Sequence, residues 1–143
     1  MTGETGMTRE EIASTLDGWL EAWNRHDLDA VLALFSDDAV FESWTGIRIE
    51  GRENIRKAWE EWFEAGDFRF VSEDVVIDAD RQIVVFPWIY EGPARCFGGK
   101  KEKRRGIDLI VFEGGLITTK ITWTKTSIEV EGRRVNLTSG ERQ

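Results

Sequence analysis

Apolar residues recur every three and four positions in the first third of the chain and every second position over most of the rest, which divides it into helices followed by strands. Ile12, Leu16, Trp19, Leu20 and Trp23 form one stripe behind the capping-box spacing Thr8-Arg9-Glu10-Glu11, so the first helix runs from there to about Asn24. Asp27 caps a short second helix with the stripe Leu28, Val31, Leu32 and Phe35. Ala39 to Trp44 is β-prone and turns at Thr45-Gly46 into a short return through Ile47 and Ile49. After Gly51, a third helix is expected from about Arg52 to Ala65, with Ile55, Trp59, Trp62 and Phe63 on one side.

From Asp67 onward the expected strands are Phe68 to Ile77, Ile83 to Glu91, Arg104 to Glu113 and Leu116 to Val130, with a short closing strand from Val135 to Thr138. Turns fall at Asp78-Ala79-Asp80-Arg81 and Gly114-Gly115. The fold class is therefore α+β, with three N-terminal helices on one face of a curved, mainly antiparallel sheet. A two-residue hairpin at Gly114-Gly115 sets Phe112 opposite Ile117, Ile110 opposite Thr119 and Asp108 opposite Ile121. Asp108 then looks toward the helices among Ile110, Phe112, Ile121 and Trp123, while Thr118, Lys120, Thr122 and Thr124 face outward. By the same parity Val84, Phe86, Trp88 and Tyr90 share a face, and periodicity leaves open whether that face is the inner one.

Asp108 is the residue that composition makes most conspicuous. An isolated ionised carboxylate in an apolar wall is costly enough that such groups neutralise, pair or take on a chemical task. Seven tryptophans and eight phenylalanines strengthen the case. Each ring taken alone is core material, but rings meeting from helix and sheet can leave a concave apolar pocket with few polar groups.

The remaining composition narrows the function. A chain of 143 residues fits one domain, expected over 8–138, with a disordered lead at 1–7 and a tail at 139–143. A net charge of −8 argues against nucleic acid and anionic membrane surfaces as partners. The basic run from Arg95 to Arg105 reads as a solvated hairpin loop beside Gly98 and Gly99. Cys96 and His26 are the only cysteine and histidine, so a disulfide framework, a thiolate zinc cluster and a multi-histidine site are excluded, and neither cofactor nor metal is expected. With no apolar leader and no span of membrane length, a cytoplasmic location is expected.

The segments Trp23-Asn24-Arg25-His26-Asp27-Leu28-Asp29, Leu34 to Phe41 and Gly51-Arg52-Glu53-Asn54-Ile55, in this order of elements, resemble the nuclear transport factor 2-like superfamily, specifically its ketosteroid isomerase and SnoaL-like polyketide cyclase branch. The resemblance spans about Thr8 to Lys125 and implies a cone-shaped fold enclosing an apolar pocket. It places Asp108 on the acid that donates to the dienolate oxygen in the isomerases. It places the isomerases' general base on Ser43, which cannot do that work unaided; a one-residue register shift would instead turn Glu42 inward. Trp19 stands where the isomerases carry a phenolic donor, Trp88 and Trp123 where they carry pocket aromatics, and Lys125 where the cyclases carry an acid. The arginine of the epoxide-hydrolysing members falls on Gly106, and the sheet histidines of the dehydratases are missing.

Three functional classes remain open. The first is an enzyme acting on a hydrophobic, polyketide- or steroid-like carbonyl compound by enolate stabilisation or proton transfer, with Asp108, Glu42 and Ser43 as catalytic candidates. Its pocket residues are expected to be Trp19, Trp23, Phe41, Trp44, Trp59, Phe63, Phe86, Trp88, Ile110, Ile121, Trp123 and Lys125. The second is a non-catalytic binder of an apolar ring compound. The third is an interaction module whose own aromatics fill the pocket. A homodimer through the open sheet face is expected by analogy with the superfamily.

Overall fold

The computed structural model describes residues 6–94 and 98–136. Three helices, α1 (Arg9–Asn24), α2 (Leu28–Leu32) and α3 (Arg52–Ala65), pack on a sheet of nine strands among the described residues. The strands are β1 (Phe35–Glu42), β2 (Arg48–Glu50), β3 (Arg69–Ser72), β4 (Val76–Asp78), β5 (Ile83–Ala94), β6 (Lys100–Glu113), β7 (Leu116–Thr124), β8 (Ser127–Val130) and β9 (Arg133–Asn136). The sheet runs β2-β1-β7-β6-β5-β3, with β4 on β5 and the β8–β9 hairpin on β6. All pairings are antiparallel except β1 with β7, so the sheet is mixed, and its curled inner face meets the helices in the cone-like α+β arrangement.

The helix boundaries follow local chemistry. Thr8 Oγ1 accepts from the Glu11 amide while Glu11 Oε1 accepts from the Thr8 amide, which completes the capping box of α1. Asp27 Oδ1 accepts from the Ala30 amide at the start of α2. Gly66, in the left-handed region at φ 59°, ends α3.

Five expectations change. Phe35 is not part of the α2 stripe; it begins β1 and is fully buried, because the helix ends at Leu32. The run Phe68 to Ile77 breaks into β3 and β4 where the Glu73 amide bonds back to the Pro87 carbonyl, and Leu116 to Val130 breaks into β7 and β8. The closing strand is Arg133–Asn136, with Leu137 and Thr138 outside the described residues. Met7, expected in a disordered lead, is tied to Gln82 by two hydrogen bonds of 2.9 and 2.8 Å and packs against the core.

The inner face of β5 carries Val84, Phe86, Trp88 and Tyr90, all buried, which settles the parity that periodicity left open. Opposite them on β6 stand Ile110, Asp108, Gly106 and Arg104. Trp23 lies at the centre of the aromatic core, with ring centroids 5.0 Å from Trp59, 4.9 Å from Phe63 and 5.7 Å from Trp19.

Candidate functional site

The site begins with an irregularity in the β6–β7 hairpin. Phe112 pairs with Ile117, as the two-residue turn requires, but Val111 pairs with Thr119, so Thr118 is an extra residue on β7. A bulge of one residue exchanges the faces of the strand beyond it. Ile117 remains buried, but after the bulge Lys120, Thr122 and Thr124 point inward, while Ile121 and Trp123 point outward and Trp123 is 51% exposed. Asp108 therefore stands opposite Thr122, and Leu109 rather than Asp108 faces Ile121.

The reversal supplies partners for the buried acid. Thr122 Oγ1 donates to Asp108 Oδ1 at 2.7 Å, and Lys120 Nζ lies 3.4 Å from Asp108 Oδ2 and donates to Thr122 Oγ1 at 2.9 Å. Asp108 and Lys120 are each only 5% exposed. The expectation of an acid alone in an apolar wall is thus corrected: Asp108 is enclosed, and it is paired. The ammonium lies over three aromatic faces, 4.6 Å from Phe41, 5.6 Å from Trp59 and 5.9 Å from Trp23. Burial pushes the Lys120 ammonium below the ordinary lysine value of 10.5, against the opposing attraction of Asp108.

This cluster opens onto a cavity of about 360 Å³. Helices α1 and α3 supply Trp19, Trp23, Trp59 and Trp62; the sheet supplies Phe41, Phe70, Phe86 and Trp88. A second polar group lies at another part of the wall. Arg104 holds Glu102 in a two-point pair, Nε to Oε2 at 3.0 Å and Nη2 to Oε1 at 2.8 Å, with both side chains under a tenth exposed. The Arg104 guanidinium sits 4.8 Å from the Trp44 ring centroid, and Tyr90 is its cross-strand neighbour. Burial raises the Tyr90 phenol above its ordinary value, which keeps its proton in place as a donor.

Between the two polar groups lies Gly106, opposite Trp88. A β-carbon there would stand 2.3 Å from the Trp88 ring, so only glycine lets that indole cross β6. Arg104 and Asp108 are four residues apart on one extended strand, which separates their backbones by about 13 Å.

The residues singled out from sequence divide as follows. Asp108, Ser43, Trp19, Trp23, Phe41, Trp44, Trp59, Phe86 and Trp88 line the cavity. The Trp19 indole donates to the Val31 carbonyl at 3.1 Å, however, and is not a donor to a ligand. The Ser43 hydroxyl is engaged with Thr45 and the Ile47 amide in the turn. Phe63 and Ile110 are buried in the core outside the cavity lining. Glu42 shares the outward parity of its pairing partner Ile121 and does not line the cavity. Ile121, Trp123 and Lys125 are corrected to the outer side by the Thr118 bulge; Lys125 is exposed.

Sequence reasoning missed Lys120, Thr122, Glu102, Arg104 and Tyr90. The basic run is not a solvated loop, since Lys100 to Arg105 belong to β6 and Arg104 is buried; Arg95 lies outside the described residues. Period-two counting back from Asp108 through Gly106 already puts Arg104 and Glu102 on its face. The signal for Lys120 and Thr122 was weaker: a buried carboxylate calls for polar neighbours, and only the other face of β7 offered them.

No curated protein sequence matches the chain. Among solved structures, SalBIII, described as an epoxide hydrolase/cyclase-like enzyme in pyran ring formation in the polyether salinomycin, is 19% identical with a TM-score of 0.76, covering 87% of this chain and 99% of its own. A protein of unknown function with a cystatin-like fold from Methylobium petroleophilum PM1 is 20% identical, with a TM-score of 0.68 and coverage of 90% and 86%. TerC, co-crystallised with polyporic acid, is 12% identical with a TM-score of 0.68 and coverage of 81% and 92%. At these identities the likeness establishes the fold. A family model described as the SnoaL-like domain matches residues 16–120, and the chain belongs to that family, within the nuclear transport factor 2-like superfamily.

Proposed function

We propose that this protein is an enzyme that moves a proton beside the carbonyl group of a hydrophobic ring compound, with Asp108 and Lys120 as the proton-handling groups. The observation that carries this reading is the buried Asp108–Lys120 pair opening onto an aromatic-walled cavity. Perturbed titratable groups in a cleft mark functional sites, and general acid–base catalysis needs such groups within reach of the proton they move on a bound substrate. A substrate carbonyl oxygen seated near Lys120 gains a donor just where enolate charge develops. The base that Ser43 cannot supply is then provided from β6 and β7.

The second polar group favours a ligand with polarity at both ends. Tyr90 and Arg104 offer donors and Glu102 an acceptor, about 13 Å along β6 from Asp108, with the Trp88 ring between. A flat compound of two or three fused rings, oxygenated at both ends, fits this spacing. SalBIII and TerC share the fold with this chain, which supports a small-molecule ligand and leaves its identity to experiment.

The test is deuterium incorporation at the α-carbon of benzo-fused cyclic ketones such as 2-tetralone, followed by proton NMR in heavy water. The expected result is exchange that Asp108→Asn and Lys120→Met each slow by about 10²–10⁴-fold. Absence of exchange across the ketone panel, with a planar phenol still quenching tryptophan fluorescence, would replace this reading with that of a non-catalytic binder.

A further inference from the structure

We propose that Lys120 captures an aldehyde or ketone covalently, as an iminium, at the inner end of the cavity. This deepens the proton-transfer reading and rests on it, because both need a carbonyl compound beside Asp108.

Four features favour capture over simple hydrogen bonding. Lys120 is enclosed yet lines the cavity, so its amine meets whatever enters and little else. Its surroundings are apolar rings, and desolvation lowers the proton affinity of a buried amine, which makes the free base available as a nucleophile. Thr122 Oγ1 stands 2.9 Å from Nζ and 2.7 Å from Asp108 Oδ1, a hydroxyl bridge along which a proton can pass between amine and carboxyl. Finally, the product of capture is a cation, and Phe41, Trp59 and Trp23 present their faces to it beside the Asp108 carboxylate. Groups facing the Lys120 amine are Asp108 from β6, Thr122 from its own strand, and these rings from β1, α3 and α1.

The chemistry balances without an outside oxidant or reductant. The Lys120 ammonium first passes a proton through Thr122 to the Asp108 carboxylate; the freed Nζ lone pair attacks the carbonyl carbon, the π pair moves to oxygen, and that oxygen takes the proton now on the Asp108 carboxyl. The amine proton released by the new C–N bond passes through Thr122 to the Asp108 carboxylate. Nitrogen then expels the hydroxyl group, which leaves as water with the proton returned by Asp108, and a C=N⁺ bond remains. The iminium withdraws electrons from its α-carbon, and the Asp108 carboxylate is placed to take the α-proton, giving an enamine. Hydrolysis reverses the steps and frees the amine.

The experiment uses the full chain with 6-methoxy-2-naphthaldehyde and sodium cyanoborohydride at neutral pH, followed by intact mass and peptide mapping. The expected result is one reduced adduct per chain on Lys120, formed at least about tenfold faster than on the exposed lysines, in line with activation by a lowered pKa. Lys120→Arg should lose the adduct while the aldehyde still quenches tryptophan fluorescence, and Asp108→Asn should slow labelling of Lys120. Fluorescence quenching with labelling only at other lysines would overturn covalent capture. If 2-tetralone still exchanged its α-protons in that case, the acid–base reading would stand without it. Absence of both quenching and Lys120 labelling would overturn this proposal, and absence of ketone exchange as well would remove the reading beneath it.

Discussion

Trp88 holds its Cζ2 and Cη2 atoms where the β-carbon of any other residue at position 106 would lie, 2.3 Å away. The pair sits between the two polar ends of the cavity, and the backbone of Gly106 is the floor on which the indole rests. Gly106→Ala should therefore move Trp88 and narrow the cavity. Overpacking of this kind costs about 1–3 kcal/mol. Part of that cost should persist in a Trp88→Leu background, because the Trp123 carbonyl also lies 2.6 Å from the added carbon. Thermal denaturation of the single and double variants tests this; equal cost in both backgrounds would show that the ring is not what glycine accommodates.

The buried Asp108–Lys120 pair sets a second expectation. Removing one partner of such a pair leaves an uncompensated group inside the protein, at a cost of about 3–5 kcal/mol, whereas replacing both by residues of similar volume is often nearly neutral. Asp108→Asn and Lys120→Met should each lower stability markedly, and the double variant should recover much of it while remaining inactive. Urea denaturation gives the comparison. Additive losses would mean that the two side chains do not act as a unit.

The pair also predicts a pH dependence whose sign can be worked out. Burial lowers the Lys120 value below 10.5, so in the window between the lowered value and 10.5 the unfolded chain holds a proton that the folded chain has released. Stability rises with pH wherever the unfolded state binds more protons. Tyr90 acts in the opposite sense at higher pH: its raised value keeps a stabilising contribution in place below 10.0 that is lost as pH climbs through the folded value. Between the lowered Lys120 value and pH 10.5, then, the melting temperature of the parent should gain on that of Lys120→Met with rising pH. A difference that stays flat all the way to pH 10.5 would contradict the lowered proton affinity.

Much of this architecture was legible in the residues themselves. The Thr8-to-Glu11 capping box, the Trp19–Trp23 stripe and the Gly114-Gly115 turn each act over a few neighbouring residues, and the helices and the hairpin form where they indicate. The enclosure of Asp108 was legible too, since apolar neighbours on both sides of a strand bury it whichever way it turns. What could not be read was the sidedness of β7. That depends on one unpaired residue, Thr118, whose placement is decided by β6 and β1 packing from either side rather than by any local signal. Hydrophobicity argued for Trp123 inside and Lys120 outside, and tertiary pairing overrode it. The same bulge explains why Asp108 seemed to stand alone: Lys120 and Thr122 lie on the face of β7 that alternation assigned to solvent.

The bulge can be tested directly, because its removal has a counterintuitive consequence. Thr118 is the added residue, so deleting it leaves Ile117 inward, Thr119 outward and Lys120 inward under ordinary alternation. Restored regularity should thus preserve the site. A deletion that merely slipped the strand would instead carry Trp123 inside and expel Lys120. Iodide quenching distinguishes the two outcomes, since Trp123 is half exposed in the parent while the other β-strand tryptophan, Trp88, is 6% exposed. The expected result for the Thr118 deletion is unchanged iodide access to Trp123, measured as the fluorescence lost in a Trp123→Phe comparison, together with retained 2-tetralone exchange. Protection of Trp123 with loss of exchange would show that Thr118 is needed to hold the register and not just to interrupt it.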